Sequence, residues 1–355
     1  MAFEVLPSGS RIGILGGGQL GRMLALAAAR LGMRCHVFEP AADPCACQVA
    51  ERVTRAAYDD VAALRAFAAS VDVITYEFEN VPLAAIDAVA EIAPVRPGRR
   101  ALESAQDRLA EKDFLRATGL ETAPYASVRN ADTLHEALAG IGTPSILKTR
   151  RLGYDGKGQA RIMAPGDAAA AWASMAGAPS VLEGFIDFER EISVIAARGG
   201  DGAVVAFDPG ENVHRDGILH TTTIPAAIKA STAQDAVLIA GQILNALDYV
   251  GVIGVELFVT RSGLVVNEFA PRVHNSGHWT QGACLIDQFE QHVRAICGWP
   301  LGDGARHSDA VMTNLLGDEI LGAVDATSAA VHVYGKPEPR PGRKMGHVTR
   351  IAPRG

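Results

Sequence analysis

The sequence predicts an α/β fold that becomes α+β in its C-terminal part. Near the N-terminus, a strand over 11–15, a helix over 22–31 and a strand over 35–39 form a βαβ unit, the building block of a parallel sheet. Further along, a β-rich section contains two apolar strands, 252–260 and 264–269, joined by a short turn. Such a pair predicts an antiparallel hairpin, so the two ends of the chain differ in sheet type.

The composition is that of an ordinary globular chain: of 355 residues, 48% are apolar and 21% are charged. This length predicts two or three domains. The net charge of −7 argues against a general nucleic-acid binder. No apolar run reaches the ~18 residues that span a membrane, and the first residues do not form a signal peptide.

The cysteines are sparse and odd in number, at positions 35, 45, 47, 284 and 297. This usage predicts reduced thiols and a cytoplasmic protein. Cys45 and Cys47 have a spacing that a metal can use, but no second Cys/His pair stands at ligand spacing. Buried or incidental thiols are the favoured interpretation.

The first glycine turn, between the strands 11–15 and 35–39, contains Gly16, Gly18 and Gly21, and Glu39 ends the second strand. This pattern matches a dinucleotide-binding fingerprint, which predicts NAD. Two alternatives remain open from the residues alone. The glycines allow tight packing between strand and helix, or the helix N-terminus holds a different phosphate.

A third strand over 71–76 ends at Glu77, at the sheet edge where ligands of open α/β sheets bind. Glu77 is either a ligand contact or an acid that stabilises a helix N-terminus. The helix predicted over 105–118 places Arg108 and Lys112 on one face, either as site residues or as a solvated stripe.

A second, basic glycine loop follows a short apolar run that ends at Lys148. It contains Gly153, Gly156 and Gly158, and its other cations are Arg150, Arg151 and Lys157. Close backbone approach and positive charge suit phosphate oxygens, although a plain surface hairpin has the same composition. The loop is not a Walker motif.

The hairpin of strands 252–260 and 264–269 carries two acids. If a three-residue turn with Gly263 pairs Thr260 with Leu264, then Glu256 lies directly opposite Glu268. Opposed carboxylates need a cation or a shared proton, and Mg²⁺ prefers such oxygen ligands. A magnesium site is the favoured interpretation, and an exposed pair without metal is the alternative.

Two polar loops follow the hairpin. Residues 270–280 are rich in hydrogen-bond donors, and Ser276 with His274 or His278 gives only a weak indication of a hydrolase, since no Gly-x-Ser-x-Gly elbow is present. Residues 340–347 form a basic loop punctuated by glycines, which contains Arg343 and Lys344.

Three of these motifs resemble one family. Residues 153–159, 267–280 and 340–347 are similar to the ATP-grasp superfamily and, within it, to the 5-(carboxyamino)imidazole ribonucleotide synthases of purine biosynthesis. The likeness extends from Gly16 to about His347, and 267–280 is its most specific part. It implies an ATP-grasp fold with an N-terminal Rossmann-like domain (1–103), a small lid domain (104–186) and a C-terminal antiparallel-sheet domain (187–355).

The resemblance also implies site residues. The nucleotide contacts would be Arg108, Lys148, Gly153, Tyr154, Asp155, Gly156, Lys157, Gly158, Gln159, Glu183, Gly184, Phe185, Ile186, Glu191, His214, Asn267 and Glu268. The metal ligands would be Glu256 and Glu268. The residues around the ribonucleotide or bicarbonate would be Gln19, Leu20, Glu77, Asn275, Arg343 and Lys344, and the catalytic residues would be Tyr154, Asp155, Arg272 and Lys344.

The implied activity is ATP- and bicarbonate-dependent carboxylation of aminoimidazole ribonucleotide, with Mg²⁺ or, alternatively, Mn²⁺, in a cytoplasmic homodimer. Neither nucleic acid nor membrane is expected as a partner. Another ATP-grasp ligase, an NAD-dependent dehydrogenase and a catalytically silent nucleotide-binding regulator are the rival hypotheses. The chain stops at Gly355, soon after the Lys344 loop, whereas relatives usually continue with a further helical and strand segment. The C-terminal domain is therefore expected to be shortened at its end.

Overall fold

A computed structural model describes residues 4–153 and 157–355 of the chain. Across these two ranges the strands form three sheets, one parallel and two antiparallel. The expected residues Tyr154, Asp155 and Gly156 lie outside the described part. Among the helices of the described residues, none combines the length and the apolar character needed to cross a membrane.

The N-terminal sheet is parallel, as predicted, with the strand order β3-β2-β1-β4. Its strands are β1 (Arg11–Leu15), β2 (Arg34–Phe38), β3 (Arg52–Thr54) and β4 (Val73–Tyr76), and its helices are α1 (Gln19–Arg30), α2 (Val61–Ala68), α3 (Leu83–Ala90) and α4 (Arg99–Ala105). Apolar side chains of the strands pack between these helices. Helix α2 begins at Val61, where Asp60 caps it by accepting a hydrogen bond from the Ala63 N–H.

The second sheet is small and antiparallel, with the order β5-β8-β6-β7. It consists of β5 (Tyr125–Val128), β6 (Ser145–Thr149), β7 (Gln159–Ile162) and β8 (Ser180–Gly184), with helices α5 (Arg108–Ala117), α6 (Ala131–Ile141) and α7 (Ala168–Ser174). Leu147, Ile162 and Leu182 form its core with one face of α6 and α7. The basic glycine loop is therefore the connection between two antiparallel strands, β6 and β7.

The third sheet, also antiparallel, has the main order β14-β13-β9-β11-β12-β15-β17-β16, and β10 pairs with β9. Its strands are β9 (Arg190–Arg198), β10 (Val204–Ala206), β11 (Gly210–Arg215), β12 (Ile218–Ile224), β13 (Gly251–Thr260), β14 (Gly263–Ala270), β15 (Ser308–Leu316), β16 (Ala330–Val333) and β17 (Lys344–Pro353). Helices α8 (Ala230–Ala246), α9 (Thr280–Ala283) and α10 (Gln288–Ile296) accompany it.

The β13–β14 hairpin pairs Glu256 with Glu268, as predicted, but by a different route. The predicted three-residue turn is wrong: Thr260 pairs with Gly263, so the turn contains two residues. A bulge between Glu256 and Leu257 then places the extra residue Asn267 in β14 and shifts the register by one. The two departures cancel, and the carboxylates face each other across the strands.

The predicted domain limits stay a prediction. The first limit, 103/104, falls inside helix α4, and the second, 186/187, falls between β8 and β9.

Candidate active site

A pocket opens between helix α5, the basic glycine loop and the β13–β14 hairpin. Its titratable lining residues are Glu79, Arg108, Glu111, Arg150, Glu256, Glu268, Arg272 and His274. The sequence identified five of its lining residues as site residues: Arg108, Gly153, Glu256, Glu268 and Arg272. The pocket therefore brings together the parts of the chain that carry the nucleotide, metal and catalytic predictions.

The two paired carboxylates, Glu256 and Glu268, have different neighbours. Arg108 donates a hydrogen bond to Glu268, with 2.6 Å between Nη1 and Oε2. Near Glu256 lies His274, whose Nε2 is 3.4 Å from Oε1; burial lowers the pKa of His274 to about 3, so the ring is neutral at neutral pH. Burial and the charge of Glu268 raise the pKa of Glu256 to about 7. Burial acts in the same direction on Glu268, but the charges of Arg108 and Lys148 outweigh it and lower its pKa to about 2.

This asymmetry predicts how the stability of the metal-free protein depends on pH. An unfolded glutamate titrates near 4.5, so between about pH 4.5 and 7 the folded protein holds a proton on Glu256 that the unfolded chain has released. Glu256 therefore lowers the free energy of unfolding as the pH rises through this window. We expect Glu256→Gln to lose less stability than the wild type between pH 5 and pH 7.5 in urea unfolding with a chelator present. Parallel pH profiles for the two proteins would contradict the buried, raised carboxyl.

Two lysines share one buried carboxylate, Glu183, on strand β8 of the second sheet. Glu183 Oε2 lies 2.9 Å from Lys148 Nζ and 3.3 Å from Lys112 Nζ. Lys112 is only 1% exposed, so its interpretation as part of a solvated stripe is wrong. The other oxygen of Glu183, Oε1, is buried and has no hydrogen-bond partner among the described residues. Two cations against one carboxylate leave a net positive charge that suits phosphate oxygens.

The basic glycine loop is attached to helix α5 through Asp107. Arg150 contacts Asp107 with both its Nε (2.9 Å) and its Nη2 (2.7 Å), while Asp107 caps α5 by accepting from the Leu109 N–H. Gly158 has φ +69, a backbone conformation that suits glycine, directly before β7 begins at Gln159. Gly153 lines the pocket, so the described start of the loop borders it.

His214 and Glu191 form a pair on the neighbouring strands β11 and β9. His214 Nδ1 lies 2.6 Å from Glu191 Oε2. Burial lowers the pKa of His214, but the hydrogen bond and the charge of Glu191 outweigh burial and raise it above its ordinary value. Other predicted nucleotide contacts have the following places in the fold. Gly184 ends β8, Phe185 and Ile186 directly follow it, and Asn267 is the extra residue of the β14 bulge.

Arg272 is held by Glu79 at the end of the pocket. Its Nε lies 2.5 Å from Glu79 Oε2, and its Nη1 donates to the carbonyl of Val273 at 3.0 Å. Burial lowers the pKa of Arg272, but the carboxylate of Glu79 outweighs burial and raises it. Arg272 is thus a fixed, permanently charged group beside the carboxylate pair.

The first glycine turn is occupied by two acids of the chain itself. The N–H of Gly17 donates to Glu39 at 2.7 Å, and the N–H groups of Gly18 and Gly21 donate to Glu77 at 2.9 and 3.2 Å. A Cβ on Gly18 would lie 2.7 Å from a Glu77 oxygen, so glycine is needed for this close approach. Glu77 therefore stabilises the N-terminus of α1, where Gln19 and the buried Leu20 begin the helix. A pyrophosphate at the turn would have to displace these carboxylates, which argues against NAD.

The loop that precedes β17 reaches the same region. Lys344 starts β17, and its carbonyl accepts a hydrogen bond from Lys336 Nζ at 2.7 Å. Arg343 donates to the Glu338 carbonyl at 2.9 Å. The charge of Lys344 acts to lower the pKa of both Glu256 and His274, so this charge lies near the carboxylate pair. Ser276 Oγ lies 2.8 Å from His274 Nδ1, but Ser276 is only 1% exposed, and a hydroxyl this buried does not suit a hydrolase nucleophile.

Comparison with known proteins decides the family. Models of a ribonucleotide synthetase preATP-grasp domain (10–106), an ATP-grasp domain (113–289) and a phosphoribosylaminoimidazole carboxylase C-terminal domain (310–354) match the chain. An N5-carboxyaminoimidazole ribonucleotide synthase of Brucella melitensis is 57% identical over 355 residues, which cover 98% of this chain and 98% of the relative. The chain belongs to the N5-carboxyaminoimidazole ribonucleotide synthase family.

Solved structures of this family have the same fold. The Staphylococcus aureus N5-carboxyaminoimidazole synthetase, complexed with ADP, superposes with a TM-score of 0.95 at 36% identity over 99% of this chain and 95% of that chain. The Aspergillus clavatus N5-carboxyaminoimidazole synthase, in complex with ADP and 5-aminoimidazole ribonucleotide, gives 0.92 at 30% identity over 98% and 95%. The predicted ATP-grasp fold and family are confirmed. The expected shortening of the C-terminal domain stays a prediction.

Several residues of the synthase pocket were not predicted. Glu79 lies in the same acidic stretch as Glu77, after β4, so the signal that found Glu77 also applied to it. Glu111 is buried and accepts a hydrogen bond from the Phe269 N–H at 2.7 Å, and burial with the charge of Glu268 raises its pKa to about 8. A polar helix pattern carries no signal that one acid points inward.

Proposed function

We propose that this chain carboxylates the exocyclic amine of 5-aminoimidazole ribonucleotide with bicarbonate and ATP, giving N5-carboxyaminoimidazole ribonucleotide, ADP and phosphate. The observation that carries the proposal is the carboxylate pair Glu256–Glu268, held between Arg108 and His274 in the pocket of a chain of this family. An enzyme that moves a phosphoryl group needs such an arrangement of anions and cations where the nucleotide's phosphates lie.

The proposed ATP site lies between the second sheet (β5–β8) and the third sheet (β9–β17). Lys148 and Lys112 supply positive charge around Glu183, and the loop with Gly153, Lys157 and Gly158 offers backbone N–H groups to phosphate oxygens. The remaining proposed nucleotide contacts are Arg108, Tyr154, Asp155, Gly156, Gln159, Gly184, Phe185, Ile186, Glu191, His214, Asn267 and Glu268. The ADP bound to the S. aureus and A. clavatus relatives supports a nucleotide site of this type.

The proposed magnesium ion fits the carboxylate pair. Within 4–153 and 157–355, no group of three or more His, Cys, Asp or Glu side chains could hold a metal ion by itself. Mg²⁺ is commonly bound through one or two carboxylates together with the phosphates of a nucleotide, which is what Glu256 and Glu268 can offer. When bound, the ion would neutralise charge on the phosphate oxygens. Mn²⁺ accepts the same oxygen ligands.

The chemistry begins with bicarbonate, which is a poor electrophile. One of its oxygens attacks the γ-phosphorus of ATP, the bond to the β,γ-bridging oxygen breaks, and carboxyphosphate and ADP result. The ribonucleotide amine then attacks the activated carbon, or the CO₂ released from it, and phosphate leaves. Because water would hydrolyse carboxyphosphate, the glycine loop must close the pocket before this step.

The proposed ribonucleotide and bicarbonate contacts are Gln19, Leu20, Glu77, Asn275, Arg343 and Lys344. Arg272, a fixed cation, would stabilise the negative charge of the bicarbonate-derived anion. Asp155 is proposed to orient or deprotonate the amine, with Tyr154 beside it. Both residues lie outside the described part of the chain, so their roles rest on the family resemblance.

Three further proposals rest on the family and the composition. We expect a homodimer, a cytoplasmic location, and the domain division 1–103, 104–186 and 187–355. Light scattering at several protein concentrations measures the oligomeric state. The mass of a single chain at every concentration would exclude the homodimer.

The proposed reaction is tested with bicarbonate labelled with oxygen-18. Since the bicarbonate oxygen that attacks phosphorus stays with phosphate when carboxyphosphate breaks down, one labelled oxygen should appear in the inorganic phosphate. Mass spectrometry of phosphate and of the carboxylated ribonucleotide gives both products from one short reaction. Product with unlabelled phosphate would overturn the carboxyphosphate route, and the absence of carboxylated product would overturn the carboxylation.

A further inference from the structure

We propose that Asn314 is a positioning residue that fixes the side chain of Asn275, so that Asn275 presents one N–H donor to the ribonucleotide and bicarbonate. The inference rests on the proposed function, because it assumes that Asn275 faces these substrates. Asn314 lies near the C-terminal end of β15, and Asn275 begins the short helical turn after β14. The two residues are thus far apart in sequence and belong to different elements of the large sheet.

The two amides form a reciprocal pair. Asn275 Nδ2 donates to Asn314 Oδ1 at 2.9 Å, and Asn314 Nδ2 donates to Asn275 Oδ1 at 2.9 Å. Asn314 is fully buried, whereas Asn275 is half-buried. A buried amide contributes most when each of its groups has a partner, and this pair satisfies both members at once.

A third hydrogen bond determines which way the pair faces. Asn314 Nδ2 also donates to the carbonyl of Leu219 at 2.9 Å. Rotating both amides together would preserve their mutual bonds but would place the Asn314 oxygen against the Leu219 oxygen. Because that contact is repulsive, the orientation of Asn314 is fixed, and so is that of Asn275. Asn275 then retains one N–H and one lone pair outside the pair.

The backbone around Asn275 has a separate support. The amide of Gln288 accepts from the His274 N–H at 2.9 Å and donates to the His274 carbonyl at 2.7 Å. The loop therefore keeps its path when Asn314 is changed, while the side chain of Asn275 gains freedom to rotate. Asn314 thus controls the direction of a donor rather than the position of the loop.

The test is a double-mutant cycle on Asn275→Ala and Asn314→Ala, with titrations of 5-aminoimidazole ribonucleotide and of ATP. We expect each single variant to raise the KM for the ribonucleotide about tenfold, the size of one lost hydrogen bond of about 1.4 kcal/mol, with the response to ATP unchanged. If Asn314 acts through Asn275, the double variant matches Asn275→Ala. Independent effects, about 100-fold together, would overturn the proposal, as would a normal ribonucleotide KM in Asn314→Ala.

Asn314→Ser and Gln291→Ala complete the design. Serine keeps a hydroxyl on the side of the Leu219 carbonyl, although it is shorter than the amide, and it releases Asn275. This variant should have the same ribonucleotide KM as Asn314→Ala. Gln291 is an equally buried amide, bonded at both ends to Gly302, and its loss should lower the melting temperature without raising that KM. A raised KM in Gln291→Ala would reduce the effect to general destabilisation. A normal KM in Asn275→Ala would remove Asn275 from the site and this inference with it, whereas the oxygen-18 result would still decide the proposed function.

Discussion

Glu256→Gln and Glu268→Gln are each expected to lower magnesium-dependent ADP formation by about 10²- to 10³-fold, or about 3–4 kcal/mol. Each change keeps the shape of the side chain but removes one anionic ligand from the pair that faces the nucleotide's phosphates. Turnover measured over a range of magnesium concentrations shows the loss and whether excess ion restores part of it. Normal turnover at limiting magnesium in both variants would contradict the metal role.

The two variants should differ in stability, which separates ligand loss from damage to the fold. Glu268 is already paired with Arg108, so Glu268→Gln leaves a partly buried guanidinium without its anion and should destabilise the protein. Glu256→Gln removes the carboxyl with the raised pKa and should stabilise the metal-free protein at neutral pH. Glu290→Gln is the matched control. Glu290 is a buried acid of α10 that pairs with Arg30 of α1 and with Arg294 of its own helix, and it does not line the pocket. It should leave turnover unchanged.

Lys344→Ala is expected to weaken the response to 5-aminoimidazole ribonucleotide roughly 10- to 150-fold, because a charge-assisted contact in a partly desolvated site is worth about 1.5–3 kcal/mol. ATP binding should change little, since the proposed nucleotide site lies against the other glycine loop. Paired titrations with ATP and with the ribonucleotide measure both. Arg340→Ala is the control within the same loop, because Arg340 is 68% exposed and pairs with Glu338.

Two results would count against this role of Lys344. An unchanged ribonucleotide response would remove the loop from the substrate site. An equal loss of ATP affinity would mean that Lys344 supports the nucleotide or the fold instead.

The hairpin shows how far the sequence could predict the site. From the apolar strands and the glycine at 263, the sequence predicted that Glu256 lies opposite Glu268, and the structure pairs them. The bulge at Asn267 was not predictable, because a bulge depends on the neighbouring strand and not on a local pattern. The prediction was right only because the error in the turn and the missing bulge cancel.

At the first glycine turn, the local spacing was not enough to predict what its N–H groups bind. Its spacing fits a dinucleotide site, but Glu39 and Glu77 occupy its N–H groups, and one of these acids comes from a strand 56 or more residues away. Lys112 shows the same limit, since its partner Glu183 lies far along the chain, on strand β8. Local patterns predict elements and motifs, whereas these contacts depend on which distant elements pack together.

The most direct test of the central claim is ADP formation by the whole chain with Mg-ATP, measured with and without 5-aminoimidazole ribonucleotide and bicarbonate. The account predicts that ADP release requires magnesium and rises strongly when both cosubstrates are present. ADP production that persists at the same rate with neither cosubstrate, or no ADP with both, would contradict it.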